Sequence, residues 1–275
     1  MPPVATRPKS ERIESRDNRW LKRFRAALHG DREMDDAVLG LEGVRLISDA
    51  LGSGAQAEAL LVSDSGERHL THLKGLLPLG LRVLRTSDRL FAAAADTETP
   101  QGVALLVKAP VWNWDDLVRP ATLAVVLSGV QDPGNVGTIV RSAEALGATG
   151  MIACSGTAHP LSPKAVRASA GSVLRLPTLA GESAQRVFDE LRGRKLRQHA
   201  ATLAGETAPR DADFISPCAI WVGGEGAGLP LEIARAADTR IRIRLRSTVE
   251  SLNAAAAAAV LLYEASRQRA YKTVR

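Results

Sequence analysis

The stretch Asp132-Pro-Gly-Asn-Val-Gly-Thr-Ile-Val-Arg-Ser-Ala-Glu-Ala-Leu-Gly147, which closely follows the apolar run Leu123-Ala-Val-Val-Leu127, decides the fold class. Five apolar residues in succession suit a strand buried on both faces of a parallel sheet. Pro133-Gly134 then turns the chain. Val136, Ile139, Val140, Ala143 and Leu146 recur at helical spacing, Asn135 suits the cap, and Gly147 suits the stop. The same alternation continues downstream. Apolar runs at 150–154, 219–222 and 241–245 read as strands, and patterns at 163–173, 184–191 and 231–237 read as helices. The expectation is an α/β domain with a mostly parallel sheet, its ligand at the carboxyl ends of the strands.

Towards the N-terminus the pattern is shorter but of the same kind. A helix is predicted at 43–51 and strands at 59–62, 81–84 and 102–107, which together form a smaller α/β domain. Before them, 15–28 carries Trp20, Leu21, Phe24 and Leu28 at helical spacing, with Arg16, Arg19, Lys22, Arg23 and Arg25 on the rest of the surface. That basic face fits either a solvated surface or an RNA contact. The proline-bracketed, aperiodic segment 110–120 reads as a linker. The predicted organisation is therefore a disordered tail at 1–12, a smaller α/β domain at 13–109, the linker at 110–120, and a second domain at 121–275.

Composition narrows the class of partner. The chain has 275 residues, 45% hydrophobic and 24% charged, with a net charge of +6 and a pI of about 9.7. That balance supports a packed core and favours an anionic partner, nucleic acid ahead of a membrane. Cys154 and Cys218, each beside an apolar run, read as buried thiols of a reducing compartment. The histidines are scattered without metal-ligand spacing, so no metal site is expected. The first residues lack an apolar signal core, and no apolar run is long enough to span a bilayer. The reading is cytosolic, with no membrane partner.

Three motifs carry residues that the fold does not require. Arg141 lies off the buried stripe of its helix, in the N-terminal half, where the macrodipole is mildly unfavourable to a cation. Taken alone, the motif fits a surface arginine as well as a functional one. Val222-Gly-Gly-Glu-Gly-Ala-Gly-Leu-Pro230 is a glycine-rich turn after a strand, but its spacing is not that of a phosphate-binding loop, and Glu225 would repel phosphate. It suits close approach to a neutral or zwitterionic ligand better. Ile243-Arg-Leu-Arg-Ser-Thr-Val-Glu-Ser-Leu-Asn253 opens a long Ala-rich helix, where Ser251 and Asn253 could be simple caps. The alanines at 254–259 leave a thin face for another helix, in the same chain or in a dimer.

In this order and spacing the three motifs closely resemble the SpoU/TrmH family of RNA ribose methyltransferases. The resemblance rests on Asn135, Gly137, Arg141, Ser142 and Ala143, on Gly223, Glu225, Gly226 and Gly228, and on Glu250 to Asn253, and covers 123–269. More loosely, Asp17-Asn18, Leu41-Glu-Gly-Val-Arg45 and Thr99-Pro-Gln-Gly102 resemble the substrate-binding domain attached to many members. The resemblance implies a deep C-terminal trefoil knot, which chain-connection rules would never suggest. It also implies a homodimer, S-adenosylmethionine as methyl donor, and a ribose 2′-hydroxyl of RNA as acceptor, with 23S-type ribosomal RNA favoured over transfer RNA. Arg141, Asn135, Glu225, Ser251 and Asn253 are then the catalytic candidates. Gly223, Ile243, Leu245, Leu252, Leu203 and Gly205 are the cofactor candidates. Arg16, Arg19, Lys22, Arg45, Lys164 and Arg167 are the RNA-binding candidates. Arg244, Ser247, Thr248 and Ala255 depart from the usual family residues. A non-catalytic RNA- or ribosome-binding protein on the same fold is the rival reading. An NAD-dependent oxidoreductase is disfavoured, because its phosphate fingerprint is missing.

Overall fold

The computed structural model describes residues 10–31 and 38–273, which divide after Pro110 into two compact units. The first contains β1 (Ser10–Ile13), α1 (Arg19–His29), β2 (Val38–Glu42), α2 (Val44–Gly52), β3 (Ala57–Ser63), α3 (Glu67–Leu73), β4 (Arg82–Thr86), α4 (Asp88–Ala92) and β5 (Val103–Lys108). Its sheet runs β1-β4-β3-β5-β2, with β5 antiparallel to both its neighbours. Leu21, Phe24 and Leu28 of α1 are buried with Ile13, Leu61, Leu84, Phe91 and Leu106. Part of the predicted tail is thus a strand: Ser10 to Ile13 pairs in parallel register with Val83 to Thr86, while residues 1–9 lie outside the described residues. Helix α1 starts later than predicted, because the Asn18 side chain accepts the Trp20 N–H and caps it there.

The second unit contains α5 (Trp114–Leu117), β6 (Leu123–Ser128), α6 (Pro133–Ala145), β7 (Gly150–Ala153), α7 (Pro163–Ala168), β8 (Thr178–Ala180), α8 (Ala184–Gly193), β9 (Arg197–Ala201), β10 (Cys218–Gly223), α9 (Leu231–Ala236), β11 (Thr239–Ile241) and α10 (Ala254–Thr273). Its strands are all parallel, in the order β11-β9-β10-β6-β7-β8. From β6 the chain steps outward to β7 and β8, then crosses over to β9, so the strand order reverses between β6 and β10. A ligand crevice belongs at such a reversal.

Several local expectations shift for identifiable reasons. The predicted linker holds α5, fixed by a capping box between Asn113 and Asp116, and its Leu117 is buried in the second unit. The predicted strand 241–245 ends at Ile241. The Arg242 N–H is spent on the Thr207 carbonyl, and beyond it the chain leaves this edge of the sheet. The predicted helix 163–173 stops at Ala168, where Ala170 and Gly171 adopt positive φ before a 3-10 turn at Ser172–Leu174. The cap of α6 is Asp132, whose carboxylate accepts the Gly134 and Asn135 N–H groups with Pro133 in the first turn. Asn135 is thereby released from capping.

Helix α6 buries Val136, Ile139, Val140 and Ala143 as predicted. It approaches α7 so closely that a side chain at Gly137 would overlap the Ala165 carbonyl. Ala254, Ala255 and Ala258 of α10 are buried as well, and α10 packs on α6, so contacts within the chain use one face of the alanine run.

Both thiols are buried. Burial pushes Cys154 up to about 12 and Cys218 up to about 11, the latter against the opposing pull of Arg269. Since the thiolate is the nucleophile, neither is expected to react with iodoacetamide at pH 8 in the native protein. Both should label rapidly in guanidinium, as mass spectrometry would read. Fast native labelling of either would contradict the packing of β7 or β10.

Candidate active site

Three loops at the carboxyl ends of β6 and β10 and at the start of α10 supply the site. The first is Gly129 to Asp132 leading into α6. The Asp132 carboxylate also accepts from Lys164 Nζ at 2.6 Å, which ties α7 to the same corner. That bond, then the Gly134 N–H, holds the Asp132 carboxyl below its usual range.

The glycine loop after β10 closes on itself. Gly228 donates to the Gly224 carbonyl at 3.0 Å, and Gly224 donates to the Ser128 carbonyl at 3.0 Å, which fastens the loop to the end of β6. A Cβ on Gly223 would overlap the backbone of Gly228, and one on Gly224 would overlap the carbonyl of Gly129. Gly228 itself has φ +66°, a region that L side chains rarely adopt. The chain's own backbone therefore explains Gly223, Gly224 and Gly228. It does not explain Gly226, where an added Cβ would meet nothing within 4 Å.

The third loop ends in Asn253. Its Oδ1 accepts the N–H groups of Ala255 at 2.9 Å and Ala256 at 3.2 Å, which makes it the cap of α10. Its Nδ2 donates to Glu225 Oε1 at 2.8 Å and to Asn135 Oδ1 at 3.1 Å. Asn135 Nδ2 donates to the same Glu225 oxygen at 2.8 Å. The three motifs thus meet in one closed ring of hydrogen bonds, with two amide donors on a single carboxylate oxygen. Among the described residues Glu225 has no cationic partner, so its negative charge remains at the site.

Beside this ring lies a cleft of about 340 Å³. Its walls include Leu203, Gly223, Ile243, Leu245 and Leu252 of the predicted cofactor set, with Glu225 and Ser251 at its edge. Thr202, Leu229, Leu231, Ala254 and Ala257 also line it and were not singled out from the sequence. Gly205 does not line it. It is buried where the loop after β9 crosses β11, and a Cβ there would come within 2.6 Å of the Ile241 backbone. Its lack of a side chain permits that crossing.

Arg141 and Ser251 stand apart from the ring. Both are exposed, and neither side chain makes a hydrogen bond to another described residue. Arg141 lies on α6 about 9 Å further along the axis than Asn135. The RNA candidates fall on both units. Arg16 sits in the turn before α1, Lys22 pairs with Asp17 at 3.0 Å, and Arg45 is exposed on α2. Arg19 lies 5.8 Å from the Trp20 ring centroid, beside Arg23 and Arg82 at 5.6 and 5.1 Å. Arg167 is exposed on α7 with Lys164. The Asp132–Lys164 pair escaped the sequence reading as a unit, although Asp-Pro at a helix start is a cap signature that could have revealed it.

The cleft fits a zwitterion with a net positive centre. Apolar walls of Ile241, Ile243, Leu245 and Leu252 suit a flat heterocycle, the glycine loop offers backbone groups, and the unpaired Glu225 carboxylate favours a cation over a phosphate. Comparison with known proteins agrees with that class of site. Residues 122–263 match the SpoU rRNA methylase family, and residues 29–105 match the MRM3-like substrate-binding domain. The chain belongs to the SpoU rRNA methylase family.

Two relatives extend the likeness to nearly the whole chain. The 23S rRNA (uridine(2479)-2'-O)-methyltransferase of Streptomyces viridochromogenes is 34% identical over 95% of this chain and 94% of its own. The 23S rRNA (guanosine(2553)-2'-O)-methyltransferase RlmP of Bacillus subtilis (strain 168) is 30% identical over 92% and 98%. Among solved structures, the SpoU methyltransferase AviRb from Streptomyces viridochromogenes, in complex with AdoMet, has a TM-score of 0.82 at 31% identity, covering 92% of this chain and 98% of that one.

Proposed function

We propose that the protein transfers a methyl group from S-adenosylmethionine to a ribose 2′-hydroxyl of RNA, with 23S-type ribosomal RNA as the substrate class. The observation that carries this reading is the ring joining Asn135, Glu225 and Asn253 at the edge of a cleft suited to the donor. The activities for which the two 23S relatives are named and the match of the first unit to a substrate-binding domain support the choice of RNA. The intact ring speaks against a non-catalytic protein on the same fold.

Bound at the cleft, the donor supplies an electrophilic methyl group on sulfur. The chain's own residues position and stabilise. Leu203, Gly223, Ile243, Leu245 and Leu252 hold the donor, and Glu225, fixed by two amides, faces its positive charge. Ser251 at the cleft edge orients the acceptor hydroxyl. Arg141 acts through its charge and its fork of N–H donors. Its role is to anchor the neighbouring phosphate and offset charge developing on the ribose oxygen. Lys164, Arg167 and the basic residues of the first unit, Arg16, Arg19, Lys22 and Arg45, contact the RNA backbone.

The same reading extends to architecture. The loop after β9 lies across the chain at 240–242, where Thr202, Glu206 and Thr207 all donate to the Arg240 or Ile241 carbonyls, and this supports a knotted C-terminus. Val260 and Tyr263 stay 43% and 63% exposed on α10, a surface suited to a homodimer. The two unpaired thiols fit a cytosolic protein.

The test is incubation with labelled S-adenosylmethionine and 23S ribosomal RNA, followed by alkaline hydrolysis. Label in an alkali-resistant dinucleotide is expected. Label on bases alone would overturn the ribose assignment, and no donor binding by calorimetry would favour the non-catalytic reading. Asn253→Asp separates capping from the ring. It keeps the oxygen that caps α10 but sets a second carboxylate against Glu225. Helix capping alone is worth about 1 kcal/mol, so the expected result is a modest change in melting temperature with at least a tenfold loss of turnover. Unchanged turnover would remove Asn253 from the site.

A further inference from the structure

Between β11 and the third loop the sequence reads Arg240-Ile-Arg-Ile-Arg-Leu-Arg246, a strict alternation of basic and apolar residues. The structure keeps that alternation after the strand has ended. Ile241, Ile243 and Leu245 turn to the cleft and line it. Arg242, Arg244 and Arg246 are exposed and belong to none of its walls. Arg240 pairs with Glu206 at 2.7 Å, but the next three guanidiniums make no hydrogen bond or ion pair to any described residue. Several other arginines of this unit are engaged: Arg175 with Glu144, Arg194 with Glu190 and Asp115, Arg197 with Asp213.

The alternating exposure of 242–246 follows the two-residue period of an extended chain, in which alternate residues lie about 6.6 Å apart on one face. Three unpaired cations at that interval repel one another and gain by facing an anion of matching repeat. Successive phosphates along an extended nucleic-acid strand are separated by a comparable distance. The row also leads into the third loop towards Ser251 at the cleft edge, so a strand following it arrives at the reacting position.

We propose that Arg242, Arg244 and Arg246 form a phosphate track that holds the single-stranded RNA flanking the methylated nucleotide, while the opposite face of the same segment holds the methyl donor. The proposal rests on the methyltransferase reading above and adds residues that position the substrate. None of the three is a catalytic residue.

The experiment compares the full chain with the triple variant Arg242→Gln, Arg244→Gln, Arg246→Gln and with the corresponding triple lysine variant. Binding of deproteinised 23S ribosomal RNA is measured across a salt series, and donor binding by calorimetry. Each lost phosphate contact on a single strand lowers the slope of log affinity against log salt by about 0.7, so the glutamine variant should lose about 2 in slope. Its RNA KM should rise at least tenfold, with kcat changed far less and donor affinity within about twofold of the parent. The lysine variant, which keeps the charge, should restore the slope. An unchanged slope and KM in the glutamine variant, with the parent active on ribose, would overturn the track and leave the methyltransferase reading standing. So would a slope lost equally in the lysine variant. A parent that binds the RNA with a steep slope but transfers no methyl group would instead overturn the functional reading.

Discussion

Arg141→Ala is expected to lower kcat for methyl transfer by about 100- to 1000-fold, the range seen when a donor to a developing oxyanion is removed. Arg141 is exposed on α6 and its side chain makes no hydrogen bond to another described residue, so truncating it should leave the fold unaltered. Surface substitutions of that kind usually shift stability by less than about 0.5 kcal/mol. Donor affinity should stay within about twofold, because Arg141 is not among the cleft residues. Arg141→Lys retains the charge but not the planar fork, and should recover only part of the rate. Single-turnover kinetics at saturating RNA provide the measurement. Full-rate transfer by the alanine variant would show that the ring and the cleft suffice without it.

The second large effect concerns the glycine loop. A methyl group at Gly224 would overlap the Gly129 carbonyl, and neither partner is a flexible side chain that can move aside. Gly224→Ala should therefore push the loop away from β6, break the Gly224–Ser128 hydrogen bond, and draw Glu225 out of reach of Asn135. Overpacking of this sort typically destabilises by 1–3 kcal/mol, and donor affinity should fall by at least about 100-fold. Gly226→Ala gives the contrast. With open space around its Cβ, it should leave the melting temperature unchanged yet weaken donor binding, because the residue the fold leaves unexplained is the one the ligand requires. Equal melting temperatures for the two variants would contradict the loop geometry. Normal donor binding by Gly226→Ala would mean that the donor does not approach that glycine.

What could be read from the sequence followed burial. The stripe of α6 and the strands β6, β7 and β10 were legible because fully buried parallel strands leave continuous apolar runs. Strand β9 was not, since Arg197-Gln-His-Ala-Ala201 looks polar. Its Gln198 is nonetheless buried, accepting from Trp221 Nε1 and donating to the Phe188 carbonyl, both at 2.9 Å, which satisfies the amide inside the core. Strands β1 and β8 are short and lie at sheet edges, where the pattern is weakest. Glu225, Asn135 and Asn253 could be named from their motifs. Their meeting could not, because periodicity describes only neighbours in the chain. That Gly205 lies where two segments of the chain cross was hidden for the same reason.

The hydrogen-bonded ring also has a consequence in time. Its members are 28, 90 and 118 residues apart in sequence. Contacts of such separation form late, after the loops they close have been ordered. Synthesis runs from the N-terminus at about 5–20 residues per second, so a nascent chain has its glycine loop and Asn135 well before it has Asn253 and α10. Until Asn253 and the start of α10 leave the exit tunnel the ring stays open. On the function proposed above, a nascent chain that has emerged only as far as its glycine loop therefore still lacks the closed site.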